Sequence, residues 1–200
     1  MHLSIVLTTI LVCIVGYSFE SVATLLIYDR EAIIDGEIWR LFSSIFIHLS
    51  LTHLVSNLLV FIVLSFFLKN NNIFMLLYLI MLLFQGIILF IFDKNMMYYG
   101  GISGMNYAFI FYLGLSYYSR SNIEKSMIQI GLLLLSVKVI LEFFNYSLLV
   151  NYIEKETFTV SSLSHIVGIV IAYTVHLLSK QNIISLSKRK GNCEKIKETL

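Results

Sequence analysis

Long apolar segments are the feature that most constrains this chain. A helix needs about 20 mostly apolar residues to cross a bilayer, and six segments have this character, at about 3–17, 41–68, 73–92, 103–118, 127–150 and 160–178. Only 13% of the residues are charged, whereas soluble domains are about 25% charged. The sequence therefore predicts an all-α polytopic membrane protein with six transmembrane helices.

Charged residues lie between and beyond these segments. A polar stretch, 18–40, contains an apolar piece at 22–28 whose length suits a helix in the membrane interface. With six spans, both termini lie on one side, which carries nine lysine and arginine residues against four on the other side. Because cytoplasmic loops are enriched in these residues, we expect both termini in the cytoplasm. Residues 1–179 then form one transmembrane domain, and residues 180–200 form a basic cytoplasmic tail.

Polar side chains within apolar segments are costly, which makes them candidates for function. The second segment contains His48, His53 and Asn57. Asn57 follows His53 by four residues, so both lie on one helix face, whereas helix periodicity places His48 about 140° away. Histidine and asparagine also form hydrogen bonds between membrane helices. We favour that structural role for His48 and a functional role for the other two.

A glycine-rich turn introduces the fourth segment. It contains Gly100, Gly101 and Gly104 around Ser103, and glycine allows both close backbone approach and positive φ. A serine at a helix start lies beside backbone N–H groups that can stabilise an oxyanion. Two purely structural roles stay open for this turn, since Gly100 and Gly104 have the spacing of a helix-packing motif and serine is a common N-cap.

The sixth segment contains a histidine at the same depth as this serine. His165 lies within its first two turns, three residues before Gly168 and on the same helix face. Gly168 and Ala172 form a pair of small residues that permits close approach of a neighbouring helix. A serine with a histidine base is the minimal activated nucleophile. We therefore interpret Ser103 and His165 as such a pair, and His176, near the opposite end, as interfacial.

Two further features have structural interpretations. Lys138 and Glu142 are four residues apart in the fifth segment, and we interpret them as an ion pair that faces the helix bundle. Cys13 and Cys193 lie near opposite ends of the chain and match no metal-binding or disulfide spacing. The sequence thus implies neither a metal nor another cofactor.

Taken in order, these motifs resemble the rhomboid intramembrane serine proteases. The resemblance extends over nearly the whole chain, and it implies a six-helix rhomboid-like bundle. Each motif alone has low specificity, but together they occur in the same order and on the same spans as in the family. The matching residues are Trp39-Arg40, His48, His53, Asn57, Gly101-Ile102-Ser103-Gly104 and His165 with Gly168.

The resemblance assigns a role to each matching residue. Ser103 would be the nucleophile and His165 the general base. An oxyanion hole would consist of His53, Asn57 and the backbone N–H of Ser103, with Gly101 as support. The remaining roles concern packing: Tyr107 would lie against the catalytic histidine, and Trp39, Arg40 and His48 would be structural residues of the outer loop region.

Within the family, the chain is similar to the rhombosortase branch. The similarity lies in the runs 28–33 and 36–41 and in Lys138 with Glu142. Tyr107 departs from that branch, which tends to have histidine there, and Ala172 occupies a position where many rhomboids have glycine. Rhombosortases are associated with C-terminal sorting tails that combine a Gly-Gly-type motif, a transmembrane stretch and basic residues. The implied protein is a serine endopeptidase of a bacterial inner (plasma) membrane that acts on a transmembrane protein without a cofactor.

Two alternative functions stay open. A rhomboid-like protein without activity could bind transmembrane segments, although the presence of both Ser103 and His165 favours catalysis. A metal or haem protein could use His48, His53 and His165, but no intramembrane carboxylate or cysteine lies near them in the sequence. No nucleic-acid partner is implied, and the sequence leaves the oligomeric state and the identity of the substrate open.

Overall fold

Helices account for most of the chain. The computed structural model describes residues 2–68, 70–117, 126, 130, 133, 137 and 161–198. A 3-10 turn, Ser44–Phe46, separates the fourth helix from the fifth. The elements in chain order are α1 (His2–Ser18), α2 (Glu20–Leu26), β1 (Tyr28–Asp29), α3 (Arg30–Ile34), α4 (Arg40–Ser43), α5 (Leu51–Phe67), α6 (Asn71–Phe92), β2 (Tyr98–Tyr99), α7 (Ser103–Tyr117) and α8 (Ser162–Glu198).

Two helical stretches, Asn72–Phe92 and Ser162–Lys180, are long and apolar enough to cross a membrane. Two bent pairs also qualify if each is one broken span, namely α1 with α2 and the α4 region with α5, so the described residues contain two to four candidate spans. The predicted fifth helix, 127–150, lies outside the described residues except for isolated positions. Lys138 and Glu142 also lie outside the described residues. The six-span count and the ion pair therefore stay predictions.

The core forms where α7 packs among α5, α6 and α8. Phe61 of α5, Phe74 of α6 and Phe109 of α7 are completely buried, and the centroids of the Phe74 and Phe109 rings are 5.3 Å apart. Thr9 and Tyr78 join α1 to α6 through hydroxyl oxygens 2.8 Å apart. Many large apolar side chains of α5 and α6 are exposed, as expected for helix faces that contact lipid tails.

The second apolar segment is not one helix, contrary to the prediction. Its first part, Arg40–Phe46, meets α5 at an angle of 88°, because Ile47 and Ser50 have extended backbone angles. The Ser50 hydroxyl accepts a hydrogen bond from the N–H of His53 at 3.2 Å and so caps the new helix. The placement of His48 on this helix is therefore wrong, since His48 precedes α5.

Three side chains bind the carbonyl end of α2. The carbonyls at the end of a helix lack intrahelical partners, and four consecutive carbonyls at the end of α2 and its C-cap are satisfied here by side chains in and beside α4. Arg40 Nη1 donates to two of them at 2.6 and 2.9 Å, while Trp39 Nε1 and Ser43 Oγ donate to the other two at 3.1 and 2.7 Å. Glu37 pairs with the Arg40 guanidinium at 2.6 Å. The acceptors are the carbonyls of Thr24, Leu25, Leu26 and Ile27.

A short antiparallel ribbon joins this loop to the segment before α7. β1 pairs with β2, with Tyr28 opposite Tyr99, which adds a small sheet to the predicted helical fold. Beside the ribbon, Arg30 donates to two carbonyls at the end of α6 at 2.9 and 3.1 Å, and its guanidinium lies 4.5 Å from the centroid of the Phe90 ring. The loop between α2 and α4 is thus attached both to α6 and to the segment that leads into α7.

The last helix is longer than predicted. The sequence places its end near residue 178, where the chain becomes polar, but α8 has 37 residues and continues to Glu198. Polarity marks the end of an apolar span and not the end of a helix. The chain contains no proline, the residue that most strongly stops a helix. At about 1.5 Å per residue, α8 is longer than the hydrocarbon core of a bilayer, which is about 30 Å thick.

We predict that replacing Arg40 with methionine will lower the free energy of unfolding by about 2 kcal/mol, because two carbonyls at the end of α2 lose their charged donor. Denaturant unfolding in detergent micelles measures the change. Arg40→Lys should lie between the wild type and Arg40→Met, since lysine keeps the charge but lacks the planar donor group. The matched control is Lys94→Met at an exposed position, which should change stability by less than about 0.5 kcal/mol. Equal effects of Arg40→Met and Lys94→Met would contradict the prediction.

Candidate active site

The turn before α7 is held from three directions. Gly101 has a φ of +128°, a conformation that glycine adopts far more readily than other residues. Its N–H donates to the Ser44 carbonyl at 3.1 Å, and its own carbonyl accepts a hydrogen bond from the Tyr99 hydroxyl at 2.9 Å. A Cβ atom at position 101 would lie 2.9 Å from the His53 ring. These contacts fix the backbone two residues before Ser103.

Ser103 and His165 come together at the start of α7. The distance between His165 Nε2 and Ser103 Oγ is 3.0 Å, which is hydrogen-bonding distance. The histidine is buried, whereas the serine is only half-buried. When the imidazole carries its proton on Nδ1, Nε2 accepts a hydrogen bond from the serine hydroxyl. This arrangement can transfer a proton from Ser103 to His165.

Tyr107 lies against the same histidine. The two rings are stacked, with centroids 4.0 Å apart and planes inclined by 18°. Because Tyr107 follows Ser103 by about one helical turn, α7 presents both the hydroxyl and the aromatic ring on one face. The stacked ring restricts rotation of the imidazole, which helps to keep Nε2 directed at Ser103.

Two glycines allow α7 and α8 to approach closely. A Cβ atom at Gly168 would lie 2.2 Å from the carbonyl oxygen of Gly104 and 3.0 Å from the backbone nitrogen of Ala108. A Cβ atom at Gly104 would lie 2.9 Å from the carbonyl oxygen of Ser164. The two backbones are thus in direct contact. Because His165 lies one turn before Gly168, this contact brings its ring to the level of Ser103.

Side chains of α5 border the opposite side of the turn. The His53 ring packs on Gly101, and Asn57 Nδ2 donates to the His53 carbonyl at 3.0 Å. Asn106 Nδ2 donates to the backbone and side-chain oxygens of Asn57 at 3.0 and 3.3 Å. These bonds join α7 to α5 one turn after Ser103. Asn106 was not among the residues that the sequence singled out.

His48 lies closer to His53 than the sequence predicts. The two imidazole rings meet edge to face, with centroids 5.0 Å apart, although helix periodicity would have placed them on different faces. The break before α5 directs His48 back towards His53, and its Nδ1 lies 3.2 Å from the Phe46 carbonyl oxygen, to which an Nδ1–H donates. His48 is thus adjacent to the candidate site through its neighbour His53.

The described residues contain no group of three or more His, Cys, Asp or Glu side chains that could hold a metal ion. A metal or haem site of the kind left open by the sequence would need His48, His53 and His165 to converge on one point. Of these three, His48 and His53 adjoin each other, while His165 contacts Ser103 and Tyr107.

Comparison with known proteins assigns the family. The family model of the Rhomboid domain matches residues 35–181, which is most of the chain. The chain belongs to the rhomboid family. Comparison with curated proteins gives no match. The match to the Rhomboid domain confirms the resemblance to rhomboids, and the protein is an integral membrane protein. Rhomboids are in general serine intramembrane proteases that act on transmembrane substrates within the lipid bilayer.

Two more polar residues of this rhomboid adjoin the turn without having been predicted. Gln85 of α6 donates from Nε2 to the Tyr99 hydroxyl at 2.5 Å, and Tyr99 in turn binds the Gly101 carbonyl. The sequence feature that could have identified Gln85 is an amide side chain in an otherwise apolar segment, since a buried amide requires hydrogen-bond partners. Its partner could not be found from the sequence, because Tyr99 lies outside the predicted helices.

We predict that Gly168→Ala will destabilise this rhomboid by about 1–3 kcal/mol, the usual cost of adding a methyl group to a closely packed core. The new Cβ would meet backbone atoms of α7, which cannot rotate away as a side chain can. Thermal unfolding in detergent measures the effect. Val170→Ala, at an exposed position of the same helix, is the control and should leave the unfolding temperature nearly unchanged. A Gly168→Ala protein as stable as this control would show that the helices separate at little cost.

Proposed function

We propose that this rhomboid is an intramembrane serine endopeptidase in which Ser103 is the nucleophile and His165 the general base. The observation that carries the proposal is the distance of 3.0 Å between Ser103 Oγ and His165 Nε2. The stacked Tyr107 ring and the close contact of α7 with α8 support it, because both limit movement of these two groups. The reaction is hydrolysis of a peptide bond in or next to a transmembrane segment of the substrate.

The first half of the reaction forms an acyl-enzyme. Ser103 Oγ attacks the carbonyl carbon of the scissile bond while its proton passes to His165 Nε2. The resulting tetrahedral intermediate collapses, the C–N bond breaks, and His165 returns the proton to the leaving amine. In the second half, His165 removes a proton from a water molecule that attacks the ester. Cleavage of this ester releases the new carboxylate and restores the Ser103 hydroxyl.

The negative charge of the intermediate needs donors beside Ser103. The first N–H groups of a helix have no intrahelical acceptor, and Ser103 is the first residue of α7. The His53 ring borders Gly101 in the same turn, and the Asn57 amide carries two N–H groups, of which one binds the His53 carbonyl. In the proposed mechanism, the Ser103 N–H, His53 and Asn57 donate to the oxyanion.

The proposed setting is a bacterial inner membrane with both termini in the cytoplasm. The excess of lysine and arginine on the side of the termini supports this orientation. It gives the Ser103 turn an outward position, from which water for deacylation can enter. In this arrangement residues 1–179 form the protease domain within six spans, and residues 180–200 follow it on the cytoplasmic side.

The proposed substrates are C-terminal sorting tails of the kind associated with rhombosortases. The similarity of residues 28–41 to that branch supports this part of the proposal. A helical segment must unwind before a serine can reach its carbonyl carbon. Each glycine destabilises a helix by about 1 kcal/mol relative to alanine, so a Gly-Gly motif at the edge of a transmembrane helix supplies a segment that unwinds at low cost.

We predict that a fluorophosphonate probe will label the wild-type protein and fail to label Ser103→Ala. His165→Ala should slow labelling at least a hundredfold, because loss of a general base costs about 10²- to 10⁴-fold in rate. Gel fluorescence of the purified protein measures labelling over time. His176→Ala is the matched control, since His176 is also buried on α8 but contacts Tyr112 instead of Ser103. Labelling that survives Ser103→Ala would reject the assignment, and an unreactive wild type would support a rhomboid that binds transmembrane segments without cleaving them.

We further predict a preference for glycine at the cleavage site. Two model substrates with the same transmembrane segment and basic end, one with Gly-Gly and one with Ala-Ala before the segment, are compared in proteoliposomes with the wild type and Ser103→Ala. The Gly-Gly substrate should be cleaved at least tenfold faster, because about 2 kcal/mol less is needed to unwind it. Mass spectrometry of the products locates the cut. Equal rates for both substrates would contradict the proposed substrate class without affecting the assignment of Ser103.

A further inference from the structure

We propose that Tyr99 and Gln85 form a positioning pair that fixes the peptide leading into Ser103. The inference rests on the proposed serine chemistry and adds two residues to it. Both side chains are buried, with 3% exposure for Tyr99 and 2% for Gln85. They reach the turn from two different elements, β2 and α6.

The Tyr99 hydroxyl controls the orientation of one peptide group. It donates a hydrogen bond to the Gly101 carbonyl at 2.9 Å and accepts one from Gln85 Nε2. A peptide group is planar and trans, so a fixed Gly101 carbonyl also fixes the Ile102 N–H on the opposite side. The next residue is Ser103. The direction in which α7 begins therefore depends on this hydroxyl.

Gln85 also contacts the residue that follows Ser103. A Cβ atom at Gly104 would lie 2.6 Å from Gln85 Oε1, so the side-chain amide packs directly on the Gly104 backbone. Gln85 thus binds Tyr99 with its amide nitrogen and borders Gly104 with its oxygen. Through this pair the backbone is held both before and after Ser103.

The Tyr99 hydroxyl keeps its proton, and with it the ability to donate. Burial raises the pKa of Tyr99 to about 12, although the neighbouring polar groups of Ser164, Ser103 and Gln85 oppose the rise. The phenol is therefore neutral throughout the pH range in which a histidine base works. Pairing of Tyr99 with Tyr28 across the ribbon fixes its backbone as well.

Space filling alone does not explain why both side chains of this pair are polar. Burying a phenol and an amide costs free energy that their hydrogen bonds must offset. Apolar residues of the same size would fill the same space, but they would leave the buried Gly101 carbonyl without its donor. What the polar pair adds is a defined position for the Gly101 carbonyl, at the base of the Ser103 turn. The polar pair therefore stabilises one conformation of the turn before Ser103.

The test is the inactivation kinetics of full-length Tyr99→Phe with a fluorophosphonate. In this reaction Ser103 Oγ forms a bond to phosphorus, fluoride leaves, and His165 takes the serine proton. We expect the maximal inactivation rate to fall about tenfold or more, and the probe concentration for half-maximal rate to change less than about twofold. Such a split indicates that the transition state is affected and that binding of the probe is not.

Two comparisons separate positioning from a general loss of stability. Tyr78→Phe removes another buried tyrosine hydroxyl, which binds Thr9 away from the turn; it should lower the unfolding temperature as much as Tyr99→Phe and leave the inactivation rate unchanged. Gln85→Met should slow inactivation by itself. The double variant Tyr99→Phe with Gln85→Met should be no slower than Tyr99→Phe alone, since residues that act as one unit are not additive.

Each remaining outcome overturns the inference. A wild-type rate in folded Tyr99→Phe would reject it and leave the proposed function intact. Equal slowing by Tyr78→Phe and Tyr99→Phe would show that only stability is involved. Multiplicative losses in the double variant would show that the two residues act independently. A wild type that shows no labelling dependent on Ser103 would reject the proposed function, and the inference with it.

Discussion

Direct backbone contact between α7 and α8 is the constraint on which the candidate site depends. Gly168 leaves room for the Gly104 carbonyl at a distance that no other residue would permit. Membrane helices gain little from burying apolar surface against each other, so close packing of this kind provides much of their association. Here the same contact also sets the distance between Ser103 and His165. The packing of α7 on α8 and the arrangement of Ser103 and His165 are therefore one structural feature, and neither can change without the other.

A second constraint is the satisfaction of backbone groups at broken helices. Unpaired carbonyls are expensive in an apolar environment, and this chain interrupts its helices at several places. Arg40, Trp39 and Ser43 satisfy the end of α2, and Arg30 satisfies the end of α6. Two charged residues, Arg30 and Arg40, thus supply hydrogen-bond donors to backbone carbonyls that have no partner within their own helix. This explains how a loop rich in turns can lie beside apolar helices without forming a separate domain.

The sequence allowed prediction of several long helices and of the proximity of Ser103 to His165. The bounds of α6 and the start of α7 were close to those observed, because apolar length and a glycine-rich turn are local signals. The break before α5 was missed because Ile47 and Leu49 continue the apolar pattern, although Ile47 and Ser50 have extended backbone angles. Tyr99 and Gln85 were missed for a different reason. Their importance comes from contacts between elements that are distant in the chain, and one sequence contains no record of such contacts.

The ribbon between β1 and β2 has a consequence for biosynthesis. It pairs Tyr28 with Tyr99, so the turn before Ser103 cannot take its final form until the chain between them has been inserted and folded back. Contacts between distant residues form late because closing a long loop costs entropy. His165 is translated later still. A nascent chain therefore carries Ser103 for many residues before His165 exists, and the two side chains can meet only after α8 has been synthesised.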